Sequence, residues 1–294
     1  MDYGGLINRA FKISWDHKIL WVLGFLATSF SGTGGLDDLI KSQDIPELQA
    51  FHIGLILLVF LFILVIGLVF LVLQLISVAG LIDAVFIIER KQKYKLGALF
   101  RSGASYFWRF LGLLALVILA VISVLIILAI PIILGFTIAT ALGIIALILL
   151  IPAAFCFFFV IGTVYSLTQR EIVAGNKSVF NAISDGFYLL KKNIGPNIII
   201  FLINIFLFIA MFLVSLVLLA IFALPMVYVG IQSTMYLIIA LIIVVPILLL
   251  AFIVFGGFIG TFFNALFTLF YQELKKITPP KMTMPDISNP APGL

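Results

Sequence analysis

The sequence predicts an all-α integral membrane protein with six transmembrane helices, arranged as three parallel repeats of an amphipathic interfacial helix, a span and an overlong span. Three observations predict it. Of 294 residues, 64% are hydrophobic and 10% charged, against about 25% charged in a soluble domain. The charged residues cluster between long uncharged runs, and a short amphipathic segment recurs ahead of alternate spans. The same composition excludes a soluble enzyme, a disordered or collagen-like chain and a disulfide-built fold, since Cys156 is the one cysteine. Cys156 lies in the run AAFCFFFV and reads as a small buried hydrophobe.

The elements follow in order. An amphipathic segment over 5–16 leads into a first span, Ile19 to Phe30, within the 18 uncharged residues between Lys18 and Asp37. The following SFSGTGG lacks a small-residue cleavage site and Asp16 lies just upstream, so this reads as a retained span and not a signal peptide. A Gly-, Ser- and Asp-rich loop over 31–50 precedes a second uncharged run of 30 residues, between His52 and Asp83. Two more runs follow, 60 residues between Arg109 and Arg170 and 80 between Lys192 and Glu273. A crossing takes about 20 apolar residues, so the first two runs hold one helix each and the last two a hairpin each. Proline removes a donor and disfavours helix in the residue before it. The bends are therefore expected at Ala129-Ile130-Pro131 through Gly135, and at Leu224-Pro225 through Gly230-Ile231-Gln232-Ser233. Runs this long do not alternate polar with apolar, which excludes a β-barrel.

Lys and Arg set the orientation. With six spans, 16 of the 17 basic residues share a side with both termini, leaving Lys41 opposite with Asp37, Asp38, Asp44 and Glu47. That side is read as cytoplasmic, in a bacterial-type plasma membrane. The net charge of +5 then reports topology and anionic lipid, not nucleic acid.

Three segments look alike: LINRAFKISWDHKILWVLG (Leu6–Gly24), LFRSGASYFWRFLG (Leu99–Gly112) and AISDGFYLLKKNIG (Ala182–Gly195). Aligning Ala10, Gly103 and Gly186 also aligns Leu6, Leu99 and Ala182, and pairs Trp15 with Trp108. At 100° per residue, Ser178, Asn181, Ser184, Asp185, Tyr188, Lys191 and Lys192 share one arc. Val179, Phe180, Ala182, Ile183, Gly186, Phe187, Leu189 and Leu190 occupy the other. Such a helix, followed at once by a span, either lies in the headgroup plane or packs on the protein's own core, and both can hold together. The runs ending at Glu89, Glu171 and Glu273 exceed a crossing and each carries a neighbouring base (Arg90, Arg170, Lys275). The chain is accordingly one membrane domain over 1–277, with repeat units of about 4–90, 95–173 and 177–277. A Pro-rich tail over 278–294, expected to be disordered, holds five of the eleven prolines.

The stretches NRAFKISWDHKILWVLGFLA, LGALFRSGASYFWRFLGLL and REIVAGNKSVFNAISDGFYLLKKNIG resemble a broad group of bacterial six-span membrane proteins. It includes the membrane domain fused to some glycerophosphoryl diester phosphodiesterases and the YciC-like inner-membrane proteins. The resemblance covers nearly the whole chain up to Thr278 and implies a fold and a location more than an activity.

Catalytic chemistry is scarce. The two histidines, His17 and His52, fall on opposite sides of the membrane in this topology and read as interfacial residues. No metal-hydrolase, P-loop, nucleophile-elbow or dinucleotide motif is present. No enzyme activity, cofactor or metal is expected. Ionisable groups at membrane depth mark transport. Asp83 is the candidate, although it falls about ten residues past the expected boundary, where it pairs with Arg90 or a basic amphipathic helix. Gln74, Asn204, Gln232 and Asn264 are neutral polar candidates for interhelical bonds. Pro152 and Pro246 sit inside spans four and six, as kinks or as a frame for a substrate. Gly135-x3-Ala139-x3-Gly143 and Gly256-x3-Gly260 signal close helix contact. Lys12, Lys18, Arg101, Arg109, Lys191 and Lys192 are the expected contacts to anionic lipid.

The reading of the whole is a non-catalytic, lipid-associated accessory or scaffold protein. Its partners are membrane lipids and a protein in the membrane or at the cytoplasmic face. The alternative is a transporter, channel or scramblase for an apolar or lipid substrate.

Overall fold

The computed structural model describes residues 1–28, 50–232 and 234–279, with side chains except at 50–56, 223–224 and 226–241. Among the described residues the chain is helical, with no strand. The helices are α1 (Tyr3–Asp16), α2 (Leu20–Thr28), α3 (Ala50–Glu89), α4 (Leu96–Ser105), α5 (Phe107–Ile138), α6 (Thr140–Gly175), α7 (Val179–Lys192), α8 (Ile194–Gln232) and α9 (Thr234–Ile277). Among the described residues, five stretches are long and apolar enough to cross a membrane: Leu57–Glu89, Phe107–Ile138, Thr140–Gly175, Ile194–Phe222 and Ile242–Ile277. The end of the expected first span, the 31–49 loop with Asp37, Asp38, Lys41, Asp44 and Glu47, Ser233 and the tail beyond Pro279 lie outside the described residues.

The second expected bend falls within its segment: Pro225 lies inside α8, which ends at Gln232. The first falls late: Pro131 lies inside α5, which runs on to Ile138 before the extended Ala139 (φ −160°, ψ 138°). Surrounded by apolar side chains, the helical backbone has no other way to satisfy its polar groups, so it tolerates the donor that proline removes. Gly135 and Gly143 flank this turn and meet each other across it, with no room for a Cβ on either. Pro152 and Pro246 lie inside α6 and α9 as expected.

The chain divides into two compact units. The first holds Asp2–Leu111 and Leu202–Leu269; the second holds Gly112–Phe201 and the chain from Phe270, together with Met1. In the first, Leu20, Leu23 and Ala27 of α2 pack with Leu81 and Ala84 of α3 and Leu99 of α4. Gly103 of α4 sits on the backbone of Ile76 and Gly80. Gly24 of α2 lies against the backbone of Gly257 and Gly260 of α9, and Thr261 Oγ1 donates to the Leu20 carbonyl at 3.0 Å. In the second, Gly186 of α7 lies on Thr168 and Val164 of α6.

Burial is concentrated at the charged ends of the long helices. The stripes Leu6, Ala10 and Ile13 of α1, Leu99 and Gly103 of α4, and Ala182, Gly186 and Leu189 of α7 are buried. In the most apolar window of each long helix, by contrast, at most 6% of residues are buried by protein. Cys156 belongs to that uncovered surface. It is exposed on α6, contrary to the sequence reading, because its apolar run has no protein neighbour on that face.

Two of the long helices end alike. After α3 the chain turns through Lys91 (φ 56°) and after α6 through Asn176 (φ 49°), the left-handed geometry that closes many helix C-termini. Each turn returns the chain directly into an amphipathic helix.

Candidate functional site

The sequence gathers ionisable groups at the ends of long helices, and the fold turns each group into a small polar site. In the second unit the centre is Glu171 on α6. Its side chain is only 1% exposed, yet Lys177 Nζ lies at 2.6 Å and Lys275 Nζ at 2.8 Å. The Tyr271 hydroxyl donates at 2.9 Å to the same oxygen that Lys275 reaches. Lys177 also reaches Asp185 of α7 at 2.7 Å. A buried carboxylate costs several kcal/mol unless donors satisfy it, and here three donors do so. Burial would lower the Lys177 pKa, but hydrogen bonds to Asp185 and Glu171 outweigh it and raise the amine above its ordinary value. Beside this cluster the buried Arg170 donates to the Ser166 carbonyl at 2.8 Å.

In the first unit, α1 carries Arg9, Lys12 and Asp16 toward the end of α3. Arg9 pairs with Glu89. His17 takes a hydrogen bond with the Tyr94 hydroxyl at 2.9 Å, so it is a partnered, half-buried residue and not simply a solvated one. Burial raises the Tyr94 pKa. Between these groups lies an open cleft of about 210 Å³, lined by Arg9, Lys12, Ile13, Asp16, His17, Ile88 and Glu89.

Glu89 takes Arg9, Glu171 takes Lys177 and Lys275, and Glu273 takes Lys276 at 2.7 Å. Asp83 accepts from Ser102 of α4 at 2.6 Å, a partner on the amphipathic helix and not Arg90. At about 1.5 Å per residue, Asp83 lies roughly 40 Å along α3 from Leu57. The other polar candidates disperse. Gln74 donates to the Ala27 carbonyl at 3.1 Å and Asn264 to Gly260 of its own helix at 3.0 Å, while Asn204 is half-buried on α8. These bonds join none of the candidates to another. The side chains of His52 and Gln232 lie outside those described.

The basic residues expected to meet lipid lie on the amphipathic helices or just beyond them. Lys12, Lys18, Arg101, Lys191 and Lys192 are exposed and Arg109 is half-buried. Lys18 lies over the Trp15 ring at 5.8 Å and Arg109 over Tyr106 at 5.9 Å. Aromatic residues stand beside them in the open, Trp108 at 77% exposure and Phe180 at 74%, with Phe11, Trp15 and Phe187 also exposed. The apolar arc of α7 therefore splits in two. Ala182, Gly186, Leu189 and Leu190 face protein, and Phe180 and Phe187 face outward.

Tyr271 and Tyr94 were not singled out by sequence reasoning. Each lies far along the chain from its partner, and nothing in the local pattern separates it from the aromatic residues around it. Among the described residues no three of His, Cys, Asp and Glu come together as a metal site would need. No family model, curated protein or solved structure matches this chain.

Proposed function

We propose that this chain is a non-catalytic, lipid-associated protein of a bacterial-type plasma membrane, serving as an accessory or scaffold to other proteins there. One observation carries the reading. The three amphipathic helices each bury a stripe of small and aliphatic residues, while exposed aromatic and basic side chains stand on them or at the start of the helix that follows. Aromatic rings and basic groups side by side on an amphipathic helix are what a membrane interface selects.

The finer architecture belongs to the same proposal: six spans, three parallel repeats, and both termini in the cytoplasm. The common burial of Leu6, Leu99 and Ala182, and of Ala10, Gly103 and Gly186, supports the repeat, as do the matching turns at Lys91 and Asn176. The Lys and Arg distribution supports the orientation. The resemblance to membrane domains that accompany phosphodiesterases supports an accessory role.

Native mass spectrometry of the purified protein with mixed lipids tests the reading. Anionic lipid should be retained over neutral lipid, and neutralising Lys12, Lys18, Arg101, Arg109, Lys191 and Lys192 together should remove the preference. Retention that ignores both lipid charge and these substitutions would reject it.

A second reading is supported by a different observation. The long helices are almost uncovered by protein in their most apolar windows, which suits passage of a lipid or apolar substrate along them. Protein-dependent lipid scrambling in liposomes, abolished by Pro152→Ala and Pro246→Ala with folding intact, would replace the scaffold with a scramblase.

A further inference from the structure

We infer that the cleft between α1 and the end of α3 binds the headgroup of an aminophospholipid, a phosphodiester carrying a primary ammonium. The inference rests on the lipid-associated reading and names the lipid. Lys12 and Asp16 both line the cleft, and among the described residues neither has an ion-pair partner. They are spaced i, i+4 on one helix, a spacing at which opposite charges meet. The base is N-terminal to the acid, however, which is the weaker order. One unpaired cation and one unpaired anion thus border the same opening. A ligand that satisfies both carries one negative and one positive group.

Size and position narrow the class. The open cleft, of about 210 Å³, has room for a group the size of phosphoethanolamine. Arg9 and Glu89, paired with each other, add one charge of each sign to the lining, so Lys12 and Asp16 remain as the charges a ligand would satisfy. An ammonium with N–H groups can donate to Asp16, whereas a quaternary choline cannot. Ile13 and Ile88 give the cleft apolar walls. On the same helix Trp15 packs with Phe11 at 6.0 Å and with Phe258 at 6.3 Å, an aromatic group of the kind that sits at headgroup level. The lipid phosphate therefore meets Lys12 and its ammonium meets Asp16.

The test is native mass spectrometry of the full chain in detergent with equimolar phosphatidylethanolamine, phosphatidylcholine and phosphatidylglycerol. The ethanolamine lipid should be retained about fivefold over the choline lipid, which at 1.4 kcal/mol per tenfold is about 1 kcal/mol. Lys12→Gln and Asp16→Asn should each abolish that ratio, and Lys93→Gln, outside the cleft, should leave it unchanged. Both cleft residues are exposed, and an unchanged melting temperature verifies folding. Equal retention of ethanolamine and choline lipids overturns the assignment. So does preference for the glycerol lipid strengthened by Asp16→Asn, which would leave the anionic-lipid reading standing. Loss of all lipid preference removes both. Displacement of the lipid by equimolar soluble glycerophosphoethanolamine would assign the cleft to a water-soluble ligand and overturn the membrane-lipid assignment.

Discussion

The Tyr271 hydroxyl donates to the Glu171 carboxylate at 2.9 Å, joining the charged ends of α6 and α9 across a separation of 100 residues. Lys275 reaches the same carboxylate oxygen at 2.8 Å and stands 5.3 Å from the Tyr271 ring. Because the carboxylate is buried, water cannot replace a lost donor. Tyr271→Phe keeps the ring and removes only the hydroxyl. It should destabilise the protein by about 1–3 kcal/mol, the cost of removing one partner of a buried polar group. Unfolding in detergent, monitored with denaturant, measures this. A double-mutant cycle with Glu171→Gln should show that the two losses are not additive. Wild-type stability in Tyr271→Phe would mean that the lysines alone satisfy the carboxylate.

Lys177 makes stability sensitive to alkaline pH. Its folded pKa is raised above the ordinary 10.5, as hydrogen bonds to Asp185 and Glu171 outweigh burial. Below 10.5 the amine is charged in folded and unfolded chains alike, and its contribution is fully present. Above 10.5 the unfolded chain loses the proton first, and the contribution falls away as pH rises through the higher folded value. The stability difference between wild type and Lys177→Gln should therefore stay constant through neutral and mildly basic pH and shrink above 10.5. A difference that shrinks on acidification instead would assign the dependence to the carboxylates.

The gaps between charges were enough to find the long apolar helices, because backbone in an apolar medium must be helical whatever its propensities. The same rule explains why helix runs on through Pro131 and Pro225: in an apolar medium a proline breaks a helix less readily than in water. Helical periodicity carried the buried registers of α1, α4 and α7, where Leu6, Leu99 and Ala182 lie inward. It did not divide Phe180 from Ala182, since two apolar surroundings look alike in a hydrophobicity pattern. The glycine motif on α9 was legible as a packing signal, but its register was not. Gly257 and Gly260 meet α2 backbone, whereas Gly256 has only ordinary contacts. Of the polar sites, the carboxylates were visible and their partners were not. Adjacent residues on a helix diverge by about 100°, so the partners come from further off: Arg9 of α1 for Glu89, Lys177 and Lys275 for Glu171, and Lys276, one turn on, for Glu273.

Lys91 holds a positive φ of 56° at the end of α3, where its own N–H donates to the Ile88 carbonyl at 2.9 Å and that of Gln92 to Ile87 at 3.1 Å. A side chain with a Cβ is strained there, and glycine is not. Lys91→Gly should stabilise the protein by up to about 1 kcal/mol, while Lys91→Val, branched at Cβ, should lose stability. Paired melting curves in one detergent decide the matter. If glycine destabilises, the Lys91 side chain contributes more than its backbone costs.

Gly24 and Gly260 bring α2 and α9 into backbone contact. A Cβ on Gly24 would overlap the Gly257 carbonyl and Thr261, and one on Gly260 would overlap the Gly24 carbonyl. Backbone atoms cannot rotate away, so even one methyl group has to separate the helices. Separation would also strain the bond from Thr261 to the Leu20 carbonyl and the packing of Trp21 on Phe258 at 5.9 Å. Gly24→Ala should therefore cost about 1–3 kcal/mol, the usual penalty of overpacking, and Gly24→Val more. Gly162 supplies the contrast. It lies inside α6 with nothing within 4 Å of its missing Cβ, so Gly162→Ala should be neutral or gain up to about 1 kcal/mol from helix propensity. Stability in detergent, read with the fluorescence of Trp21 in a background lacking the other two tryptophans, separates the cases. If Gly24→Ala and Gly162→Ala behave alike, α2 does not touch α9 through Gly24, and the order of packing in the first unit has to be redrawn.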